Sequence, residues 1–453
     1  MKSTRKEHHK VHAFQKKRRL STFQTIILGF AGVVLLGAFI LMLPISSKSG
    51  TVTPFSDAIF TSTSAVCVTG LVVQDTATYW STFGQGAILL MIQIGGLGVI
   101  TVAAAFALLS GRKIGLMQRS TMQEAIAAPK LGGIVRLTGF ILKATFLFEL
   151  AGALVMMPAF CKDFGLRGIW MSFFHSISAF CNAGFDIMGH TGAEFSSMTS
   201  YMANPLINIT LMLLIVIGGI GFLTWDDIRT NKFHVRHYRM QTKVILATSG
   251  LLILFPAIFN FLFEYSDMPI KERVLSSLFQ SVAPRTAGFN TTDLSALSGS
   301  GRLVMIILML IGGSPGSTAG GMKTTTFAVL TANSFAVFRK KESPTFFKRR
   351  IDVDTVKNAS TILMMYIMLF LGGAVVISFI EGLPLGACIF ETASAVGTVG
   401  STLGITTQLG TLSRCILIGL MFFGRVGGLT LIYAAVSGGN NVSKFPQEKI
   451  TVG

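Results

Sequence analysis

Apolar residues run in long blocks along this chain, and the blocks recur. Residues 26–45 carry no charge over about 20 positions, enough to cross a hydrocarbon core of roughly 30 Å as a helix. A short half-polar segment ending in glycine follows, and then a second apolar stretch. The same order is found in 22–112, 130–228, 240–338 and 355–438, with half-polar segments at 54–70, 168–185, 270–289 and 384–400. These segments are too short and too polar to span, which is the character of re-entrant helices. Their central glycines, Gly70, Gly184, Gly288 and Gly400, stand 114, 104 and 112 residues apart. A second glycine set recurs in register in the following apolar stretch, around Gly95, Gly218, Gly312 and Gly424. The pattern predicts an all-α membrane protein of four tandem helix–pore loop–helix repeats. Eight transmembrane helices and four re-entrant pore helices would surround one central pore, because non-helical backbone at membrane depth is tolerated only inside protein or along water. Every repeat starts and ends on the same side, so the repeats are parallel about the membrane normal rather than inverted.

Composition agrees. Hydrophobic residues make up 51% and charged residues 13%, about half the roughly 25% charge of a soluble domain. The net charge of +18 is distributed by topology. Residues 1–21 hold eight Lys and Arg, 111–136 five, 226–243 five, 339–357 seven and the tail 439–453 two, which is 27 of the 38. The segments on the other side are nearly free of them. This positive-inside pattern puts both tails in the cytoplasm of a multi-pass cell-membrane protein and argues against nucleic acid as a partner. The basic clusters can also touch anionic lipid. The first apolar block is too long for a signal peptide core and lacks a small-residue cleavage site, so it is expected to remain as the first span. Five scattered cysteines have no metal-ligand spacing and read as small apolar residues.

The four loops carry the chemistry. Residues 67–71 read Cys-Val-Thr-Gly-Leu, 181–185 Cys-Asn-Ala-Gly-Phe, 285–289 Arg-Thr-Ala-Gly-Phe and 397–401 Gly-Thr-Val-Gly-Ser. A dehydrated cation needs oxygens in place of its water shell, and rings of backbone carbonyls supply them without net charge. Turning successive carbonyls one way requires φ > 0, which glycine adopts cheaply. The expected filter is therefore Val68, Thr69 and Gly70; Asn182, Ala183 and Gly184; Thr286, Ala287 and Gly288; and Thr398, Val399 and Gly400. Potassium would sit at Gly70, Gly184, Gly288 and Gly400. Only the fourth loop holds the Thr-Val-Gly triplet of potassium channels. The short helices before the loops aim the negative ends of their dipoles at the cation.

These loops, with 281–290, 312–323 and 424–430, make the chain resemble the potassium-translocating subunits of Ktr systems in the Trk/Ktr/HKT superfamily, over almost its whole length. The resemblance implies a homodimer in the lipid bilayer and a cytosolic ring of nucleotide-binding regulatory subunits responding to ATP and ADP. It leaves room for sodium as an activator and implies no nucleotide bound by this chain itself. In plant relatives Ser at the first filter position accompanies sodium preference, so Gly70 favours potassium.

Residues 303–338 would reach roughly 54 Å as one straight helix, beyond the bilayer. Five glycines and a proline in 312–321 break it. The resemblance implies an intramembrane gate there, formed by Gly312, Gly313, Ser314, Gly316, Ser317, Thr318, Gly320 and Gly321. A helix kink or a close-packing surface is the plainer reading. Arg425 stands where the other repeats have glycine. An intramembrane arginine needs a partner or a cavity, so it could latch the gate loop, or pair with Glu391. Arg285 is expected behind the filter, paired with Asp57 or Glu391; those two carboxylates could instead concentrate cations. No nucleotide-binding, hydrolase or metalloprotease motif occurs, so no enzymatic activity is expected. His175 and His190 read as structural. A sodium- or proton-coupled potassium symporter is the competing function, disfavoured by the few carboxylates within the spans.

Overall fold

A computed structural model describes residues 21–109, 114–126, 132–189, 193–428 and 430. The expectations for the tails 1–20 and 439–453, and for His190, lie outside the described residues.

Each repeat opens with a long apolar helix. These are α1 (Thr22–Met42), α6 (Ile134–Phe164), α10 (Met240–Phe259) and α14 (Val353–Glu381). Each is long and apolar enough to cross a membrane, α10 doing so with the turn that extends it to Glu264. Local chemistry sets the starts. Ser21 and Gln24 form a reciprocal capping box at the head of α1. The segments expected as pore helices, and labelled so below, follow as short helices: α2 (Phe55–Val66), α7 (Arg167–Phe180), α11 (Ile270–Val282) and α15 (Leu385–Gly397). Pro54, Pro269 and Pro384 immediately precede three of them. A proline there is pre-set for the helix that follows and forces the residue before it into extended backbone.

The second apolar stretches of repeats 1 and 2 are bent rather than continuous, and that of repeat 3 is broken where the glycines and proline of 312–321 predict. In repeat 1, α3 (Thr82–Leu97) and α4 (Val99–Leu109) meet at 94°, and in repeat 2, α8 (Pro205–Gly219) and α9 (Phe222–Asn231) meet at 95°. The joints are Gly98 (φ 85°, ψ 132°) and Gly221 (φ 95°, ψ 141°). In repeat 4, α16 (Thr411–Val426) ends on Gly427 with the same geometry, φ 90° and ψ 134°. A side chain is strained in that region, so only glycine makes the joint cheaply. In repeat 3 a whole loop, 311–323, separates α12 (Gly299–Leu310) from α13 (Thr324–Phe338). A short helix α5 (Leu116–Ile126) lies between repeats 1 and 2, and a hairpin of β1 (Thr345–Phe346) and β2 (Arg349–Arg350) lies between repeats 3 and 4.

Packing closes the four units into a ring. Within each repeat the pore helix packs on the first helix: α2 on α1, α7 on α6, α11 on α10, α15 on α14. Between repeats, the second helix packs on the next repeat's pore helix: α3 on α7, α8 on α11, α12 on α15, and α16 back on α2. Polarity is inverted relative to a soluble protein. The pore helices bury hydroxyls such as Thr61, Ser62, Thr63 and Ser64, while Leu36, Phe39, Leu147 and Phe379 stand exposed on the outer helices. This is the arrangement for a lipid-facing exterior, so the chain is a mostly helical, multi-pass membrane protein.

Candidate ion pathway and gate

The four loops share one backbone conformation despite their different sequences. The residue two before each glycine has positive φ: Val68 57°, Asn182 58°, Thr286 75° and Thr398 52°. Each glycine does too: Gly70 92°, Gly184 68°, Gly288 72° and Gly400 94°. Val68, Thr286 and Thr398 are β-branched, and positive φ costs such residues about 1–3 kcal/mol each.

Hydrogen bonds offset this cost. Most of the loop N–H groups turn back to the pore helix. Val68 N–H donates to Ala65 O (3.1 Å), Thr69 N–H to Ser64 O (2.8 Å) and Gly70 N–H to Ser64 Oγ (3.0 Å). Repeat 4 matches, with Thr398 to Ala395 (3.1 Å), Val399 to Ser394 O (2.8 Å) and Gly400 to Ser394 Oγ (3.0 Å). In repeat 2, Asn182 and Ala183 donate to Ala179 and Ser178. In repeat 3, Ala287 and Gly288 both donate to Ala283. The carbonyls are left over. Among the described residues none of the carbonyls of Val68–Gly70, or of the equivalent three residues in the other loops, receives a hydrogen bond. Buried carbonyls are normally paired, so this set stands ready for another partner.

The glycines make a closed circuit. A Cβ on Gly70 would lie 2.5 Å from Ala183 O, and one on Gly184 would lie 2.6 Å from Ala287 O. At Gly288 it would collide with Val399 O, and at Gly400 with Thr69 O. Each glycine thus abuts the carbonyl just before the next repeat's glycine, and the fourth returns to the first. The Asn182 amide, 3.1 Å from the Thr286 hydroxyl, adds a direct link between loops 2 and 3. His175 braces loop 2 from behind: its Nδ1–H donates to Met171 O (2.8 Å) and its Nε2 accepts from Ile187 N–H (3.2 Å).

A cavity of about 280 Å³ opens onto all four glycines. Asp75, Asp186 and Asp293 line it, and sequence reading missed them. Asp75 and Asp293 each lie 5 residues past their loop glycines, a recurrence that an in-register comparison of the loops could have found, whereas Asp186 lies 2 past its own and is out of that register. Asp75 Oδ1 accepts from Ala77 and Thr78 N–H, and its Oδ2 from Phe195 N–H (2.9 Å). Burial pushes the Asp186 carboxyl up to about 7, opposed by Met188 N–H and reinforced by nearby Asp75. The Ser295 hydroxyl and N–H hold Asp293 below its ordinary value.

On the other side of the loops lies the break in repeat 3. Residues 311–323 are tied by hydrogen bonds to repeats 2 and 4 beside their glycine joints. Ser314 N–H donates to Gly219 O (2.9 Å), Thr318 N–H to Gly218 O (3.3 Å), and Phe222 N–H to Gly316 O (2.7 Å). Thr318 Oγ1 donates to Phe180 O (3.0 Å), and Gly321 N–H donates to Gly424 O (3.2 Å). Gly312 and Gly320 are crowded: a Cβ on Gly312 would meet Gly320 O and Thr286 Cγ2, and one on Gly320 would meet Thr398. Gly313 lies against Ala319 and Ser317. Lys323 Nζ caps Ala319 O (2.8 Å) and Gly320 O (3.2 Å).

Arg425 joins three repeats. Its guanidinium donates to Thr318 O in the repeat 3 loop, to Gly95 O, and to Gly96 O (3.0 Å) in repeat 1. It does not pair with Glu391, whose carboxylate accepts from Thr402 Oγ1 (2.7 Å) and from Thr406 Oγ1. The expected Arg285 pair is also absent among the described residues. Asp57 bonds Arg414 Nη1 at 2.8 Å and Gln74 Nε2 at 3.0 Å, while Arg285 reaches Ser249 Oγ at 3.2 Å. The reason is topological: α16 packs on α2, which puts Arg414 beside Asp57 and leaves Arg285 against α10. One buried carboxylate within a span escaped sequence reading. Glu149 on α6 accepts from Gln93 Nε2 at 2.9 and 3.1 Å, and its signal was an isolated acid in an apolar run.

Comparison with known proteins places this geometry in context. The family described as TrkH, cation transport protein, matches residues 3–444. The chain is 36% identical over 451 residues to a potassium/sodium uptake protein of Enterococcus hirae, covering 96% of this chain and 98% of that one. It is 35% identical over 444 residues to Ktr system potassium uptake protein B of Bacillus subtilis, covering 96% and 97%. The crystal structure of the potassium transporter TrkH from Vibrio parahaemolyticus is similar in fold, with a TM-score of 0.73 at 19% identity, over 93% of this chain and 86% of that one.

Proposed function

The chain belongs to the TrkH cation transport protein family, and from that premise we propose that it takes up potassium through the central path between its four repeats. The observation that carries the reading is the closed circuit of four glycine loops whose carbonyls are unpaired. Potassium would shed its water against the carbonyls of Val68–Gly70 and their equivalents, with Asp75 and Asp186 raising its concentration at the entrance. Eight spans and four re-entrant helices, with both tails cytoplasmic, give the orientation we favour.

The loop 312–321 is the gate in this reading, and Arg425 is its latch. Support comes from the hydrogen bonds that tie the loop to Gly218, Gly219 and Gly424, and from the bond of Arg425 to Thr318. A cytosolic nucleotide-binding ring would act on the gate, with the chain as a homodimer and sodium as an activator. The relatives named for a Ktr system motivate the partner.

A second reading is a coupled symporter. One relative is named a potassium/sodium uptake protein, and Glu149 is a buried carboxylate beside the second pore loop. Tracer flux into proteoliposomes distinguishes the two. A potassium gradient alone should drive uptake; uptake that requires an imposed sodium or proton gradient would overturn the channel-like reading. Loss of uptake in a potassium-requiring strain, with a regulatory partner co-expressed, would remove potassium as the substrate.

A further inference from the structure

A second and larger cavity lies away from the ion path. It measures about 840 Å³ and runs between α10, α12 and α13, within the size range of sites that enclose a whole ligand. Its walls are almost wholly apolar, including Leu251, Phe255, Ile307 and Phe335. These four side chains are themselves exposed, so the cavity opens sideways toward lipid. One end is different in kind. There Arg339 and Lys341, together with Ser343 and the β1 residues Thr345 and Phe346, form the mouth. Neither basic side chain makes an ion pair among the described residues, whereas the nearby Arg350 is paired with Glu342 at 3.9 Å. The mouth belongs to the basic segment 339–357, whose seven Lys and Arg make it the most strongly charged of the internal clusters.

We propose that this cleft binds one anionic phospholipid, with its acyl chains along α10 and α12 and its phosphate at Arg339 and Lys341. Three observations converge. The cleft is apolar along its length, it opens to lipid, and among the described residues its charged lining consists of two cations without an ion pair at one end. That polarity is the complement of a phospholipid, whose charge sits at one end of a long apolar body. Basic pockets between membrane helices at the cytoplasmic surface recognise anionic headgroups in this way. A second copy of this chain is the other conceivable occupant, but two uncompensated cations at the mouth suit an anion better than a like-charged copy of the same protein. The site also adjoins the break in repeat 3, because Leu308 and Ile311 line its inner wall.

Native mass spectrometry of the full-length protein tests this. The protein is released from nanodiscs made of equal phosphatidylglycerol and phosphatidylcholine. We expect retained phosphatidylglycerol in preference to phosphatidylcholine. Each basic residue near such a surface is worth about a five-fold change, so Arg339→Gln with Lys341→Gln should cut retention by roughly an order of magnitude or more. These positions are exposed, so folding should survive. A second variant, Ala332→Trp, fills the cleft from α13 and should displace the lipid with the basic mouth intact. Equal retention of the two lipids, or retention unmoved by both variants, overturns the proposal. So does crosslinking from a photoreactive group at Leu251 that captures a second copy rather than lipid; capture of phospholipid supports it.

Discussion

Replacing Arg425 by alanine tests the latch directly. The guanidinium bridges Thr318 O in the repeat 3 loop to Gly95 O and Gly96 O at the repeat 1 joint. Hydrogen bonds to a charged group contribute about 1.5–3 kcal/mol each. The two bonds to repeat 1 can persist when the loop moves, so only the Thr318 bond distinguishes a closed loop from a displaced one. Losing it should shift the closed–open equilibrium by a factor of about 10 to 150, since each 1.4 kcal/mol is tenfold. Removing the positive charge from the path acts in the same direction. The expected result is basal rubidium-tracer flux raised about tenfold or more in proteoliposomes lacking any regulatory partner. Arg425→Lys separates the two contributions. It keeps the charge but loses the planar fork that reaches two repeats at once. Raised flux in Arg425→Lys assigns the effect to tethering, and wild-type flux assigns it to charge. If Arg425→Ala elutes as a folded protein yet conducts no more than the parent, the latch is refuted.

Three further outcomes are expected. Gly70→Ser should shift uptake from potassium toward sodium and lower total flux, measured by competing the two ions in tracer uptake; its Cβ would sit 2.5 Å from Ala183 O at φ 92°, so the ring must distort. Arg414→Ala should lower the melting temperature in a detergent thermal-shift assay, because Asp57 is left nearly buried and without its cation; a buried pair broken on one side costs about 3–5 kcal/mol and this partly exposed one less, while Asp57→Asn with Arg414→Gln should recover part of the loss. The Asp186 carboxyl, raised to about 7, is charged above that pH and neutral below it, so its attraction for cations is lost as pH falls through about 7. The KM for tracer uptake should therefore rise between roughly pH 8 and pH 6, and Asp186→Asn should flatten that dependence at the higher KM.

Much of this protein was legible in one dimension. Apolar runs of membrane length, the recurrence of Gly70, Gly184, Gly288 and Gly400, and the glycine-rich break at 312–321 are local signals, because helix length, φ > 0 and helix breaking are properties of short segments. They determined a mostly helical membrane protein with a recurring glycine pattern, and marked the segments proposed to line its ion path. The partners were another matter. Nothing between positions 57 and 414 couples them along the chain; Arg425 did point to the 312–321 loop, because it stands where the other repeats have glycine, but not to Gly95 and Gly96 of repeat 1. Asp57 meets Arg414 and Thr318 meets Arg425 because the fourth repeat closes back onto the first, and ring closure is a property of the whole packing. The same closure showed loops with different sequences to be one backbone. Their conformation is supported by N–H groups returning to the pore helices, so Val68 adopts positive φ just as the Thr398 of the channel-like triplet does. Sequence placed the special residues; only the closed tertiary ring decided which of them touch, since contacts across a ring join positions that chain distance keeps apart.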